Sequence, residues 1–172
     1  MSPLAYPVIA LKFIVPTLLL RFPFPSAWGN YILDVIDGDI LLSLGVAEYS
    51  YQTIDKVADY YSYIFMLLLG LNWKIRKTII ALFIYRSVGQ LAFFVTRDEF
   101  MFVYFQNFLE PLVMAYTLLI FLKKGSLTKA HASYQKHFKL VWAIIIGYKL
   151  WNEWYLHWAN IDLSMLFFGF TG

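Results

Sequence analysis

Long apolar runs dominate this chain, and their length is that of a bilayer crossing. Spanning the hydrocarbon takes about 20 predominantly apolar residues as helix. A run of that size can be placed six times, roughly at 5–21, 27–46, 50–72, 76–96, 100–122 and 138–158. The expected fold is an all-α integral membrane protein, a six-helix transmembrane bundle forming one domain over residues 1–172. Composition agrees: 60% of residues are hydrophobic, 20% aromatic and 15% charged, where a soluble domain carries about a quarter charged.

The separators between runs are chemically sensible. Pro23 and Pro25 in RFPFPS cannot continue a helix and divide the first two runs. LNWKIRK and TRDE divide the third from the fourth and the fourth from the fifth. KKGSLTKAHASYQKHFK reads as a long basic loop outside the hydrocarbon, and Trp28, Trp73, Trp151, Trp154 and Trp158 fall near run ends, as interfacial belts require. The closing IDLSMLFFGFTG is too short to span. MSPLAYPVIALKFIVPTLLLR has no basic segment ahead of its apolar run, so it reads as a retained first helix rather than a signal peptide. No cysteine is present, which excludes disulfides and thiolate metal sites. The net charge of +3 is too small to point to nucleic acid.

Against this background, five of the seven aspartates lie in one stretch: Asp34, Asp37, Asp39, Asp55 and Asp59. Asp34 and Asp37 stand three apart on the second helix, and Asp55 and Asp59 four apart near the start of the third, so each pair shares a helix face. An antiparallel hairpin of the two helices brings the four carboxylates together. Such a cluster requires a positive partner, because each charge is desolvated and repels its neighbours. Hard cations such as Mg²⁺, Mn²⁺ or Ca²⁺ take carboxylate oxygens, and a metal site is the default reading.

The spacing resembles the signature of the CDP-alcohol phosphatidyltransferase family, D-x2-D-G-x2-A-R-x8-G-x3-D-x3-D, found on the second and third of six transmembrane helices. Asp34, Asp37 and Gly38 fill its first half, and Asp55 and Asp59 stand at the offsets of its second. The resemblance implies a metal-dependent membrane transferase of phospholipid metabolism, moving a phosphatidyl or similar phosphoester group from a CDP-linked donor to an alcohol and releasing CMP. It implies Asp34, Asp37, Asp55 and Asp59 as ligands to Mg²⁺ or Mn²⁺, with Ca²⁺ the further candidate, and Asp59 as base for the acceptor hydroxyl. It also implies a homodimer. Leu41 and Leu42 stand where the family has Ala-Arg, and Tyr51 stands where it has Gly. The nucleotide side of the motif is thus altered while its acids are intact. Gly38, Tyr51 and Arg86 are the candidate nucleotide or substrate contacts, Arg86 replacing the missing motif arginine.

Other polar residues interrupt the apolar runs: Arg86 and Gln90, Asn107 and Glu110, and Lys149, Asn152, Glu153 and His157. Arg86 with Glu110 and Lys149 with Glu153 are the expected pairs, since buried charges must be paired. His157 reads as an interfacial polar tip, and His131 and His137 as loop residues. Under six spans, Arg21, Lys74, Arg76, Lys77, Lys123, Lys124, Lys129, Lys136 and Lys139 share one side. The positive-inside rule puts that side in the cytoplasm and the aspartates opposite, whereas the family resemblance implies a cytoplasmic site. Three functions follow: the membrane transferase, acting on membrane lipid; a catalytically inactive relative serving as accessory or scaffold subunit of a larger membrane complex; and an ion-handling protein.

Overall fold

The computed structural model describes residues 2–98 and 100–154, with side chains as far as Asn152. Glu153 as a pairing partner, Trp154 as a belt residue, Trp158, His157 and the stretch 161–172 lie outside the described side chains. The described residues are helical and contain no strand. The helices are α1 (Ala5–Thr17), α2 (Pro23–Ser43), α3 (Glu48–Gly70), α4 (Arg76–Thr96), α5 (Met101–Tyr104), α6 (Leu109–Leu122), α7 (Leu127–Lys136) and α8 (Phe138–Trp154). A 3₁₀ turn, Leu18–Leu20, continues α1.

Local chemistry explains the ends. Pro23 and Pro25 open α2 instead of merely separating two runs, since a first turn has no use for their missing N–H groups. At its other end Gly45 adopts φ +79°, and the amides of Gly45 and Val46 return to the carbonyls of Leu42 and Leu41, closing the helix as a left-handed cap does. α3 then turns back beside α2. It approaches α4 so closely at Gly70 that an added Cβ would stand 2.7 Å from Ile79.

Two expectations are corrected. The run 100–122 is not one helix but α5, a non-helical stretch at 105–108, and α6. Pro111 cannot donate to the carbonyl of Asn107, and the Asn107 side-chain oxygen instead accepts the Glu110 amide at 3.2 Å. The basic stretch after Lys124 is not a loop but α7, capped by Ser126 Oγ, which accepts the Lys129 amide at 3.4 Å. α7 buries Ala130 and Tyr134 and leaves its lysines exposed.

α1 packs on α2 and α3, α3 on α4, and α6 on α2, α3 and α7. The main core is built from Leu19, Met66, Ile79, Leu109, Leu112 and Tyr116. Trp73 belongs to it, with its ring 4.6 Å from that of Tyr116, and is not a belt residue. Beside this apolar core several charged and polar side chains are buried as well, and one helix turns an apolar face outward. Lys12, Asp37, Asp55, Arg86, Gln90 and Glu110 are buried, while α4 turns Ile80, Ile84, Val88, Leu91 and Val95 outward at helical spacing. Among the described residues one helix, Arg76–Thr96, is both long and apolar enough to cross a membrane, and Ala5–Leu20 and Leu109–Leu122 are shorter apolar helices. The expectation of six such spans is therefore met in part.

Candidate metal centre

The aspartates of α2 and α3 do meet, and a cation that sequence reasoning passed over stands among them. Lys12, buried on α1, hydrogen-bonds Asp37 Oδ2 and donates to Asp55 Oδ1 at 2.5 Å; its Nζ lies 3.5 Å from Asp34 Oδ1. Lys56 on α3 donates to Asp55 Oδ2 at 2.7 Å and lies 3.9 Å from Asp59 Oδ2. One ammonium thus ties α1 to both acid-bearing helices, and a second holds the α3 pair. Lys12 is the one charged residue among the first twenty, so an isolated ionisable group inside an apolar run was the available signal.

The four carboxylates are not equivalent. Asp34, Asp55 and Asp59 each offer an oxygen, and these atoms lie within 4.8 Å of one another. That spread suits a hard ion bonded at roughly 2.1–2.6 Å. Asp37 stands apart from this trio: it is fully buried, one oxygen takes the Lys12 ammonium and the other, Oδ1, has no hydrogen-bond partner. With every group ionised, four carboxylates against two ammonium groups leave a formal double negative charge. Asp34, Asp55 and Asp59 are close enough together to hold one hard divalent ion, and both Asp55 oxygens already accept from an ammonium, Oδ1 from Lys12 and Oδ2 from Lys56. Asp39 has no ion-pair partner among the described residues and takes no part in the trio.

The space beside Gly38 is filled. A Cβ on Gly38 would stand 2.8 Å from the Tyr51 hydroxyl, so the Tyr51 side chain occupies the space that Gly38 leaves open. Leu41 is fully buried in the same apolar cluster, with Ala5 and Val46, and Tyr51 packs against it. Leu42, at the position of the motif arginine, is exposed.

A second polar layer lies one turn along α2 and α3. Asn30 donates to Glu110 Oε1 at 3.3 Å and accepts from Ser62 at 3.1 Å. Asn107 donates to Glu110 Oε2 and to the Tyr63 hydroxyl, both at 3.1 Å. Arg86 does not pair with Glu110: it donates to the Phe105 carbonyl at 2.7 Å and lies over the rings of Tyr63 and Phe102. The break after α5 supplies that free carbonyl, which a continuous helix would have consumed. Lys149 lines a cleft of about 430 Å³ together with Glu110, Tyr31 and Tyr148, whose two hydroxyls are hydrogen-bonded at 2.8 Å. Asn30, Ser62 and Tyr63 were not singled out from the sequence, because single polar residues in helices carry no spacing signal.

Comparison of the chain with protein-family models, with curated proteins and with solved structures finds no match.

Proposed function

We propose that the chain is a multi-pass membrane enzyme, a divalent-metal-dependent transferase that moves a phosphatidyl or similar phosphoester group from a CDP-linked donor to an alcohol and releases CMP. The observation that carries this reading is the convergence of Asp34, Asp55 and Asp59 from two helices at the spacing of the family it resembles. Placement in a bilayer is supported by the length and apolar outward face of α4 and by the charges buried among α1, α2, α3 and α4. On this reading the segments that would cross the bilayer are α1 with its 3₁₀ turn, α2, α3, α4, the broken α5–α6 segment and α8, of which α4 alone is long and apolar enough by itself among the described residues.

Mg²⁺ or Mn²⁺, or alternatively Ca²⁺, held by Asp34, Asp55 and Asp59 would supply positive charge beside the donor pyrophosphate. The chain's own residues have the remaining roles. Lys12 and Lys56 reduce the charge of the cluster until one divalent ion balances it. Asp59 takes the proton of the acceptor hydroxyl as that oxygen bonds to phosphorus, and the bond from phosphorus to the CMP oxygen breaks. Arg86, over the ring of Tyr63 one turn beyond Asp59, is the substrate-phosphate contact. A homodimer in a lipid membrane is the assembly that the family resemblance suggests.

The test is CMP release from CDP-diacylglycerol, and from a panel of other CDP-linked donors and alcohols, by the reconstituted full chain. Release that needs Mg²⁺ or Mn²⁺, vanishes in Asp59→Asn and survives in Asp39→Asn supports the reading. Metal binding without release from any donor overturns it. One observation favours a second reading: Tyr51 fills the space at Gly38. On it, the chain is an inactive relative that keeps the aspartates as an ionic tie and serves as accessory or scaffold subunit of a membrane complex. A stoichiometric partner on purification from native membrane, with no CMP release, supports that alternative.

A further inference from the structure

Phe102 of α5 rests on two cations at once. Its ring centroid lies 5.3 Å from Lys56 Nζ on α3 and 4.3 Å from the Arg86 guanidinium carbon on α4. Arg86, Gln90 and Phe93 recur at spacings of four and three, so they share one face of α4. The Phe102 ring also packs on Phe93, with centroids 5.1 Å apart. It therefore spans the stretch of α4 that carries Gln90.

Gln90 is 1% exposed, and neither its Nε2 nor its Oε1 has a hydrogen-bond partner; Arg86 Nε has none either. Buried polar groups are almost always satisfied, so an unpartnered carboxamide beside an unpartnered guanidinium nitrogen points to a missing polar occupant. A benzene ring satisfies cations in part but offers an amide at most a weak N–H···π contact, and nothing to its carbonyl oxygen. Phosphate oxygens accept from all three. Lys56 spends one of its three N–H groups on Asp55, and Arg86 binds the Phe105 carbonyl and Tyr63, which leaves each cation further donors.

The element that carries the ring is short and is held mainly by α4. α5 is four residues long, and its C-terminal end is tied to α4 by the Tyr85 hydroxyl on the Tyr104 carbonyl and by Arg86 itself. Gly89 allows this approach, since any Cβ there would collide with Phe105.

We propose that Lys56, Arg86 and Gln90 form a binding site for a phosphoryl anion, and that Phe102 is its resident occupant, displaced when the anion enters. The proposal deepens the transferase reading, on which it rests for its role, because Lys56 lies 3.9 Å from Asp59 and phosphate bound there borders the reacting centre. It gives the chain a self-closed state in which the cations are masked until a phosphate-bearing ligand arrives. The phosphate comes either from a lipid headgroup or from a water-soluble ligand.

The experiment uses the full chain in phosphatidylcholine nanodiscs with EDTA. One arm titrates inorganic phosphate and follows ³¹P line broadening and thermal stability. A second arm replaces the titrant with phosphatidic acid in the disc. Binding in either arm supports the site and names its source. Phe102→Ala and Phe102→Leu, the latter keeping apolar bulk without a ring face, are expected to tighten binding about 5- to 30-fold, the effect of removing two cation–ring contacts. Gln90→Leu is expected to weaken it at least tenfold while raising the unfolding temperature, a combination that a merely structural glutamine would not produce. Unchanged or weaker binding in both Phe102 variants, with unfolding temperatures preserved, overturns the proposal, as does no binding in either arm. Because the assay is metal-free and needs no turnover, it separates the two readings. Phe102-sensitive phosphate binding without CMP release sinks the transferase alone, and CMP release with Phe102-insensitive binding sinks this site alone.

Discussion

Replacing Lys12 with methionine moves two measurable quantities in opposite directions. Lys12 is buried and hydrogen-bonds Asp37 and Asp55. Removing it leaves Asp37 fully buried with neither oxygen partnered, since Oδ1 has no partner already. Breaking a buried ion pair by deleting one member costs about 3–5 kcal/mol. The metal-free protein is therefore expected to unfold at a clearly lower temperature. The same change removes a positive charge beside the divalent ion proposed to be held by Asp34, Asp55 and Asp59. At a separation of about 6 Å the repulsion relieved is roughly 1–6 kcal/mol between bulk water and an effective dielectric of 20, so affinity rises at least about tenfold. Mn²⁺ titration followed by electron paramagnetic resonance gives the affinity, and thermal unfolding of the reconstituted chain with and without Mn²⁺ gives both terms. The expected signature is a larger metal-induced stabilisation starting from a less stable protein. Equal stability of variant and parent without metal, or Mn²⁺ affinity unchanged or weakened, refutes the assignment of Lys12 as the built-in counter-charge.

Other substitutions test the remaining links. Leu91→Lys on the outward face of α4 is expected to cost about 2.5–3.5 kcal/mol of insertion if that face meets lipid, measured by glycosylation-mapping of the inserted fraction; a change within about 0.5 kcal/mol would place the face in water. Gly38→Ala drives a methyl group into the Tyr51 hydroxyl and is expected to destabilise by about 1–3 kcal/mol, with Tyr51→Phe relieving much of it; no recovery in the double variant would mean that the hydroxyl is not the obstacle. Asp59→Asn is expected to abolish CMP release while leaving the fold intact by circular dichroism, and residual release near the parent level would remove Asp59 from the base role.

How far the residues announced their own arrangement depended on the range of the physics involved. α4 was legible to the residue, Arg76–Thr96, because a basic segment bounds one end and a polar one the other. The aspartate pairing was legible because each pair is local, at three or four residues, and needs only that α2 and α3 turn back on one another. The fifth run misled because hydropathy sums over a window and is blind to a single Asn107–Glu110–Pro111 break. α7 was hidden by its polarity, its helix resting on one cap and two buried residues. Lys12 was hidden by distance: it lies 22 to 43 residues from the carboxylates it serves, and no local pattern reports such a contact.

On the proposed bilayer reading, that same contact bears on how the helices would enter a membrane. α2 and α3 are 21 and 23 residues long, enough to span, yet neither is apolar enough, because α2 carries Asp34, Asp37 and Asp39 and α3 carries Asp55, Lys56 and Asp59. The acids that build the candidate centre are the acids that spoil these helices as independent spans. Each charged side chain at mid-bilayer costs about 2.5–3.5 kcal/mol on an isolated helix. Lys12 carries the same burden on α1, and the three helices offset one another's charges only when packed. On the proposed bilayer reading the centre is an assembly condition, α1, α2 and α3 entering lipid as a unit closed by Lys12, and exchanging Lys12 and Asp37 together for Met and Leu is expected to restore insertion that either change alone impairs. Restoration of insertion with Mn²⁺ binding kept by Asp34, Asp55 and Asp59 would separate the structural task of the Lys12–Asp37 pair from the metal-binding task proposed for the trio, whereas failure of the double exchange to insert would show that Asp55 also depends on Lys12 for burial.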